Sequence, residues 1–338
     1  MEENAAVVVT DYKKEKKYFS SIGIRYFAIS LIVMIVQIGA LYLADYINED
    51  ILNQYYMLVG MLPAYIVIVP VLFLIFRNVG YEAIPVKKFS AGQLVSAFFI
   101  CYAFMYIGNI IGSILNMIVS AVVKVEARNV LQEVLETGTI YQTIFIMVIC
   151  APIIEEIMFR KILIDRLHKY GDAVAIVVSA LMFGLYHGNI TQFVYATLIG
   201  LVLGYVYAKS GNIRYSIILH MIINFIGSVL SQLVMEKSGY LDIVEQLSEN
   251  PEASVEIVMA NAAGLLAGIL WAFLLIAFAI TGIVLFFVKK KHLDFQPGEI
   301  TLEKGKRFST IVVNYGAIAF IVLWLLMAVI NMGIINLG

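Results

Sequence analysis

The fold this sequence predicts is all-α, a polytopic membrane helical bundle with about eight to nine transmembrane helices. Two observations predict it. Of 338 residues, 62% are hydrophobic and only 14% charged, where a soluble domain is about a quarter charged; mean hydropathy is +0.91. The apolar residues also fall into runs of about twenty, the length that crosses a bilayer as a helix, with Lys and Arg gathered in alternate gaps.

Residues 1–24 form a polar segment expected to be cytoplasmic. It lacks the charged-then-apolar pattern of a cleaved leader, so the first membrane helix is expected to be retained. Residues 25–139 hold spans near 25–46, 55–76 and 94–123; the third is long enough to tilt or to include an interfacial turn. Residues 140–235 hold four spans, near 140–163, 172–187, 191–208 and 215–235. An acidic outer loop, 236–258, precedes a C-terminal group, 259–338, with spans near 259–288 and 309–336. With the N-terminus inside, all of the 23 Lys and Arg fall in cytoplasmic stretches except Lys124, Arg128, Lys237 and the intrahelical Arg160.

A formal net charge of −1 and the absence of a basic stripe argue against a nucleic-acid partner; the lipid bilayer is the partner composition demands. Cys101 and Cys150 sit in apolar runs and read as small buried residues. The halves do not repeat, unlike many transporters. The sequence says nothing of oligomeric state.

Ionisable groups inside spans cost roughly 2.5–3.5 kcal/mol each at mid-bilayer, so each needs a reason. They cluster in the fourth, fifth and seventh spans. In "CAPIIEEIMFRKIL" (150–163) Glu156 and Arg160 stand four apart, stacked on one helix face where they can pair. Glu155 is rotated about 100° from Glu156 and has no cation at helical spacing. "FGLYHGN" places His187 four residues after Phe183, and "LHMIINF" places His220 and Asn224 on one face. Taken singly, Glu156–Arg160 can be a register-fixing salt bridge, and the histidines and asparagine can be interhelical glue. His168 and His292 lie in basic aqueous segments and receive no chemistry.

Together these residues suit a reaction. A carboxylate beside a histidine can take a proton from water, and a second histidine with an amide can donate to a tetrahedral oxyanion. Glu155, His187 and His220 equally suit zinc, whose open sites accept two His and one carboxylate. The residues leave both uses open, so the cofactor is none or a divalent metal such as zinc. His-Glu-x-x-His, Gly-x-Ser-x-Gly and Gly-x-Gly-Asp signatures are missing, as are phosphate-cradling glycine loops.

The ordered trio "EEIMFR" (155–160), "FGLYH" (183–187) and "HMIIN" (220–224) resembles the Glu-Glu-x-x-x-Arg, Phe-x-x-x-His and His-x-x-x-Asn motifs of the CPBP intramembrane proteases, the CAAX protease and bacteriocin-processing (ABI) family. The resemblance covers about residues 140–230. It implies an intramembrane endopeptidase, CAAX-prenyl-protease-like, of glutamate or metalloprotease type, acting on membrane-associated peptides or proteins in a bacterial plasma membrane. Carried over by position, Glu155 would be the general base assisted by His187, His220 and Asn224 the oxyanion hole, and Glu156 with Arg160 a supporting pair. A non-enzymatic scaffold or bacteriocin-immunity protein of the same fold is the alternative; a transporter carrying protons on Glu155 is a third reading. The catalytic cavity is expected to face the cytoplasm, although the span list puts His187 near an outer helix end.

Overall fold

Helix starts are written in side-chain caps. The Asp11 carboxylate accepts from Lys13 N at 2.9 Å and opens α1, Tyr12–Ile47, so the first membrane helix begins well inside the polar segment. The Asn48 carboxamide opens α2, Glu49–Phe76, which bends at Tyr55 and contains Pro63 and Pro70. A reciprocal Ser90–Gln93 capping box opens α3, Ala91–Val123. These belong to a computed structural model that describes residues 8–9, 11–128, 130–136, 138–250, 252 and 254–335; part of the polar N-terminal segment, residues 1–7 and 10, lies outside them.

Next come α4, Ile140–Tyr170, and α5, Asp172–Leu185. They are followed by α6, Ile190–Ser210, and α7, Ile213–Lys237. Beyond them lie α8, Tyr240–Glu249, and α9, Ala262–His292. The last pair, α10 (Arg307–Ile311) and α11 (Tyr315–Asn331), is bent by 56° at its junction. The all-α membrane bundle is therefore the fold: among the described residues seven helices are long and apolar enough to cross a membrane, or eight if the bent pair is one span. The chain is an integral membrane protein.

Three expectations change. The run near 172–187 is not a full span: α5 has 14 residues, about 21 Å against a hydrocarbon core of about 30 Å. Protein covers one face of it, with Ala175, Ile176, Ser179, Ala180 and Phe183 all buried. The run near 309–336 is broken, because the Asn314 carboxamide accepts from Ala317 N and starts a new helix there. The acidic loop is partly helical, in α8 and Ser254–Ala260.

The core lies where α1, α2, α4 and α11 meet around stacked rings: Tyr26 is 5.5 Å from Phe76, 5.7 Å from Phe159 and 6.2 Å from Phe320. α1 and α11 approach backbone to backbone, since a Cβ on Gly23 would lie 2.4 Å from the Gly316 carbonyl carbon. α5 and α6 form an antiparallel hairpin behind α4.

The Lys- and Arg-rich helix ends gather at one end of the bundle and are tied together. Lys87 N donates to Ser210 O at 2.7 Å and Glu82 N to Asp165 O at 3.1 Å. The Tyr170 hydroxyl donates to buried Glu15, and Val8–Val9 pairs with Ile300–Thr301 as a two-residue parallel strand pair. Asp172, the fully buried first residue of α5, is the centre of this knot. It accepts from Lys209 Nζ at 2.7 Å, His168 Nε2 at 2.9 Å and Gln296 N at 2.8 Å.

Burial opposes charge on Asp172, and the bonds from His168 and Lys209 outweigh it, holding its pKa down to about 2. A depressed carboxyl pKa stabilises the fold above the unfolded value of about 4, and that contribution is lost as pH falls toward 2. Asp172→Ala should cost about 3 kcal/mol by leaving Lys209 only the exposed Asp294 carboxylate, 3.5 Å away. It should also flatten the acid limb of an unfolding-midpoint-against-pH curve; an unchanged curve would remove Asp172 from this role.

Candidate active site

Both glutamates sit at the middle of α4, where the helix is not uniform. Ile144–Cys150 and Ile157–Ile164 are wound with wider, i→i+5 turns around a short α-helical stretch, Ala151–Glu156. Pro152 contributes a cause, since it has no N–H for the Val148 carbonyl and its ring crowds that oxygen. Such turns recur at functional positions, and here their carbonyls are bonded from neighbouring helices. Asn224 Nδ2 donates to Met147 O at 2.8 Å, the Tyr26 hydroxyl to Met158 O at 2.6 Å and the Ser179 hydroxyl to Phe159 O at 2.7 Å. This helix is thus held from α7, α1 and α5.

Glu156 is fully buried, with Oε2 3.2 Å from Arg160 Nε. Its other oxygen, Oε1, lies 3.1 Å from His220 Nδ1 on α7. Glu155 Oε2 stands 3.7 Å from His220 Nε2, an ion-pair separation too long for a hydrogen bond. The adjacent carboxylates therefore face opposite nitrogens of one imidazole. An ionised Glu156 can only accept, so Nδ1 of His220 carries a proton, and Nε2 can donate only when the ring is doubly protonated.

His187 follows the last turn of α5, and its Nδ1 lies 2.9 Å from Phe183 O. A carbonyl only accepts, so Nδ1 carries the proton and neutral His187 presents a bare Nε2. The next residues fix this turn: Gly188 adopts φ +62°, Asn331 Nδ2 donates to Gly188 O at 2.9 Å, and Asn189 caps α6. Glu155 is near enough to act electrostatically on His187.

Phe183 organises the cluster. Its ring centre lies 4.9 Å from His187 and 5.7 Å from His220, nearly perpendicular to both. The Arg160 guanidinium stands 4.5 Å over the same ring. The terminal nitrogens of Arg160 have no hydrogen-bond acceptor among the described residues, so the ring face and Glu156 together compensate its burial.

Glu155, Glu156, Arg160, His187 and His220, named from the sequence on three separate spans, are thus brought together. Asn224 lies one turn beyond His220, with one amide hydrogen on Met147 O and a second still to donate. The sequence reading missed the Glu156–His220 bond and the part played by Phe183. It also missed Tyr65, Tyr186 and Tyr195, whose phenols lie within electrostatic range of Glu155. Contacts between distant helices leave no spacing signal, but the aromatic in Phe-x-x-x-His was available.

The zinc possibility on Glu155, His187 and His220 is not matched by this geometry. Among the described residues no three His, Cys, Asp or Glu side chains come together as a metal-holding group.

Residues 137–226 match the family described as Type II CAAX prenyl endopeptidase Rce1-like. A Bacillus subtilis (strain 168) protein named "Putative membrane peptidase YdiL" is 32% identical over 77 residues, which is 22% of this chain and 32% of that protein. The match thus spans about a third of that relative's length. No solved structure matches the chain. The family match falls on the helices that carry the three motifs, so the likeness to Rce1-like proteins is confined to residues 137–226.

Proposed function

We propose that this protein is an intramembrane endopeptidase that hydrolyses membrane-associated peptides or proteins by glutamate-directed attack of water. The catalytic part is residues 140–235, and the chain sits in a bacterial plasma membrane with its N-terminus in the cytoplasm. The observation that carries the reading is the imidazole of His220 set between two carboxylates of unequal exposure. Glu156 is sealed, whereas the Glu155 side chain keeps 14% of its surface accessible.

In this reading Glu155 takes a proton from water, and the bare Nε2 of His187 helps orient that water. The water oxygen adds to the scissile carbonyl, giving a tetrahedral oxyanion. Nε2–H of doubly protonated His220 and the second N–H of Asn224 donate to that oxyanion. Collapse breaks the C–N bond, and the proton held by Glu155 passes to the leaving amine. Glu156 and Arg160 do no chemistry and hold His220 in register.

The test uses purified protein in proteoliposomes with a fluorogenic peptide pool. His187→Ala and His220→Ala should each lose at least a hundredfold in turnover, while His292→Ala, far from the site, keeps it. Full turnover in both site variants would move the chemistry off these histidines, and no turnover by the parent protein would overturn the hydrolytic reading and leave the scaffold or immunity role.

A further inference from the structure

A second polar feature lies beside this cluster at the end of the bundle opposite the Lys- and Arg-rich knot. A cavity of about 300 Å³ is bounded by α3, by the segment after it and by the start of α6. Its walls include amides and hydroxyls, Asn109, Ser113 and Asn116 from α3 and Asn189, Gln192 and Tyr195 opposite, beside apolar Met117 and Leu135. The three α3 residues recur at i, i+4 and i+7, a polar stripe on one face of a helix otherwise fit for lipid. Polar side chains inside a span need partners or a function.

The helices are built to hold this cavity. A Cβ on Gly108 would meet Tyr195 Cα at 2.5 Å, and one on Gly112 would meet Thr191 O at 2.7 Å. Glycine there lets α3 and α6 touch backbone to backbone and aligns the α3 stripe with the cap of α6.

Two residues join the cavity to the proposed chemistry. Tyr195 lines it and lies within electrostatic range of Glu155. Asn189 lines it and follows His187 by two residues, its Nδ2 3.4 Å from His187 O. The cavity therefore adjoins the backbone turn that carries His187.

We propose that this cavity is the binding cleft for an extended stretch of substrate backbone, entering from the non-cytoplasmic side. The proposal rests on the endopeptidase reading above. Its chemistry favours peptide backbone over a charged terminus. Asn116 donates to Arg128 O at 3.1 Å but keeps its carbonyl, and the Asn109 carboxamide accepts weakly from Ser113 at 3.4 Å but keeps both N–H groups, among the described residues. Backbone amides need just such alternating donors and acceptors. Arg128, the cation at the cleft, is already bonded through two nitrogens to Glu133, at 3.0 and 2.5 Å, so it does not offer a free seat for a terminal carboxylate. Direction follows from charge: α3 runs from the basic Lys87–Lys88 end to the cleft, which the positive-inside rule sets outside. This entry side differs from the cytoplasm-facing cavity expected from the span list.

Two experiments on the full chain test this. Ser113→Cys and Asn116→Cys, each in a Cys101→Ala/Cys150→Ala background, are exposed to a membrane-impermeant cationic methanethiosulfonate. Modification in intact cells and protection in inverted vesicles are expected; the reverse pattern, or none, overturns the proposed entry side. The Ser113→Leu/Asn116→Leu double variant is then assayed on a ten-residue fluorogenic peptide and on a tripeptide sharing its scissile bond. KM for the long peptide should rise about tenfold with kcat held, and the tripeptide should be unaffected. Equal effects on both, or none, overturn backbone binding. Loss of the endopeptidase reading would show separately, as no cleavage of either peptide by the parent protein.

Discussion

Glu155→Gln is expected to lower kcat by about a thousandfold while leaving the unfolding temperature within a few degrees of the parent. The magnitude is that of losing a positioned general base. The amide is isosteric, so packing around the partly accessible side chain is kept; it cannot hold a proton taken from water. The fold should tolerate it because among the described residues Glu155 makes no side-chain hydrogen bond, its approach to His220 being 3.7 Å. Turnover and unfolding measured on one preparation check both halves. Retained turnover would move the base elsewhere, and a large drop in stability would make Glu155 a structural residue.

Its neighbour should behave in the opposite order. Arg160→Met leaves Glu156 charged, fully buried and without its cation, and is expected to cost about 3–5 kcal/mol. Adding Glu156→Leu removes the stranded charge and should restore most of that stability, because an apolar pair of similar volume is often no worse than a buried ion pair. Activity should not return, since His220 then has no acceptor on Nδ1 and loses its set orientation. Thermal unfolding and turnover of the two single variants and the double variant give the coupling directly. Recovery of activity with stability would mean that Glu156 does not orient His220.

This division of labour was half legible in the sequence. Glu156 and Arg160 pair at i, i+4, a local relation that helix geometry exposes without a structure, and the pair is found at 3.2 Å. The bond from Glu156 to His220 crosses 64 residues, and no periodicity reports which helices become neighbours. Spans read from hydropathy located the membrane helices because bilayer thickness sets their length. The same rule overcounted at 172–187, where one face of a short helix, Ala175, Ile176, Ala180 and Phe183, is covered by protein, and a hydropathy window cannot tell protein from lipid. The helix start at Tyr12 and the break at Asn314 were missed for another reason. Asp11 and Asn314 act through single cap bonds that an apolar average does not register. The polar stripe of Asn109, Ser113 and Asn116 was present in the third span, and its meaning came only with α6 opposite it.

The central claim is that water, activated at Glu155, attacks the peptide carbonyl directly. A single turnover in ¹⁸O-enriched water, with enzyme in excess over a cleavable peptide, tests it most plainly. Direct attack predicts one ¹⁸O in the new carboxyl terminus of every product molecule from the first turnover. First-turnover product carrying only ¹⁶O would mean that a Glu155 oxygen had been transferred through a covalent glutamyl intermediate, and would contradict the account.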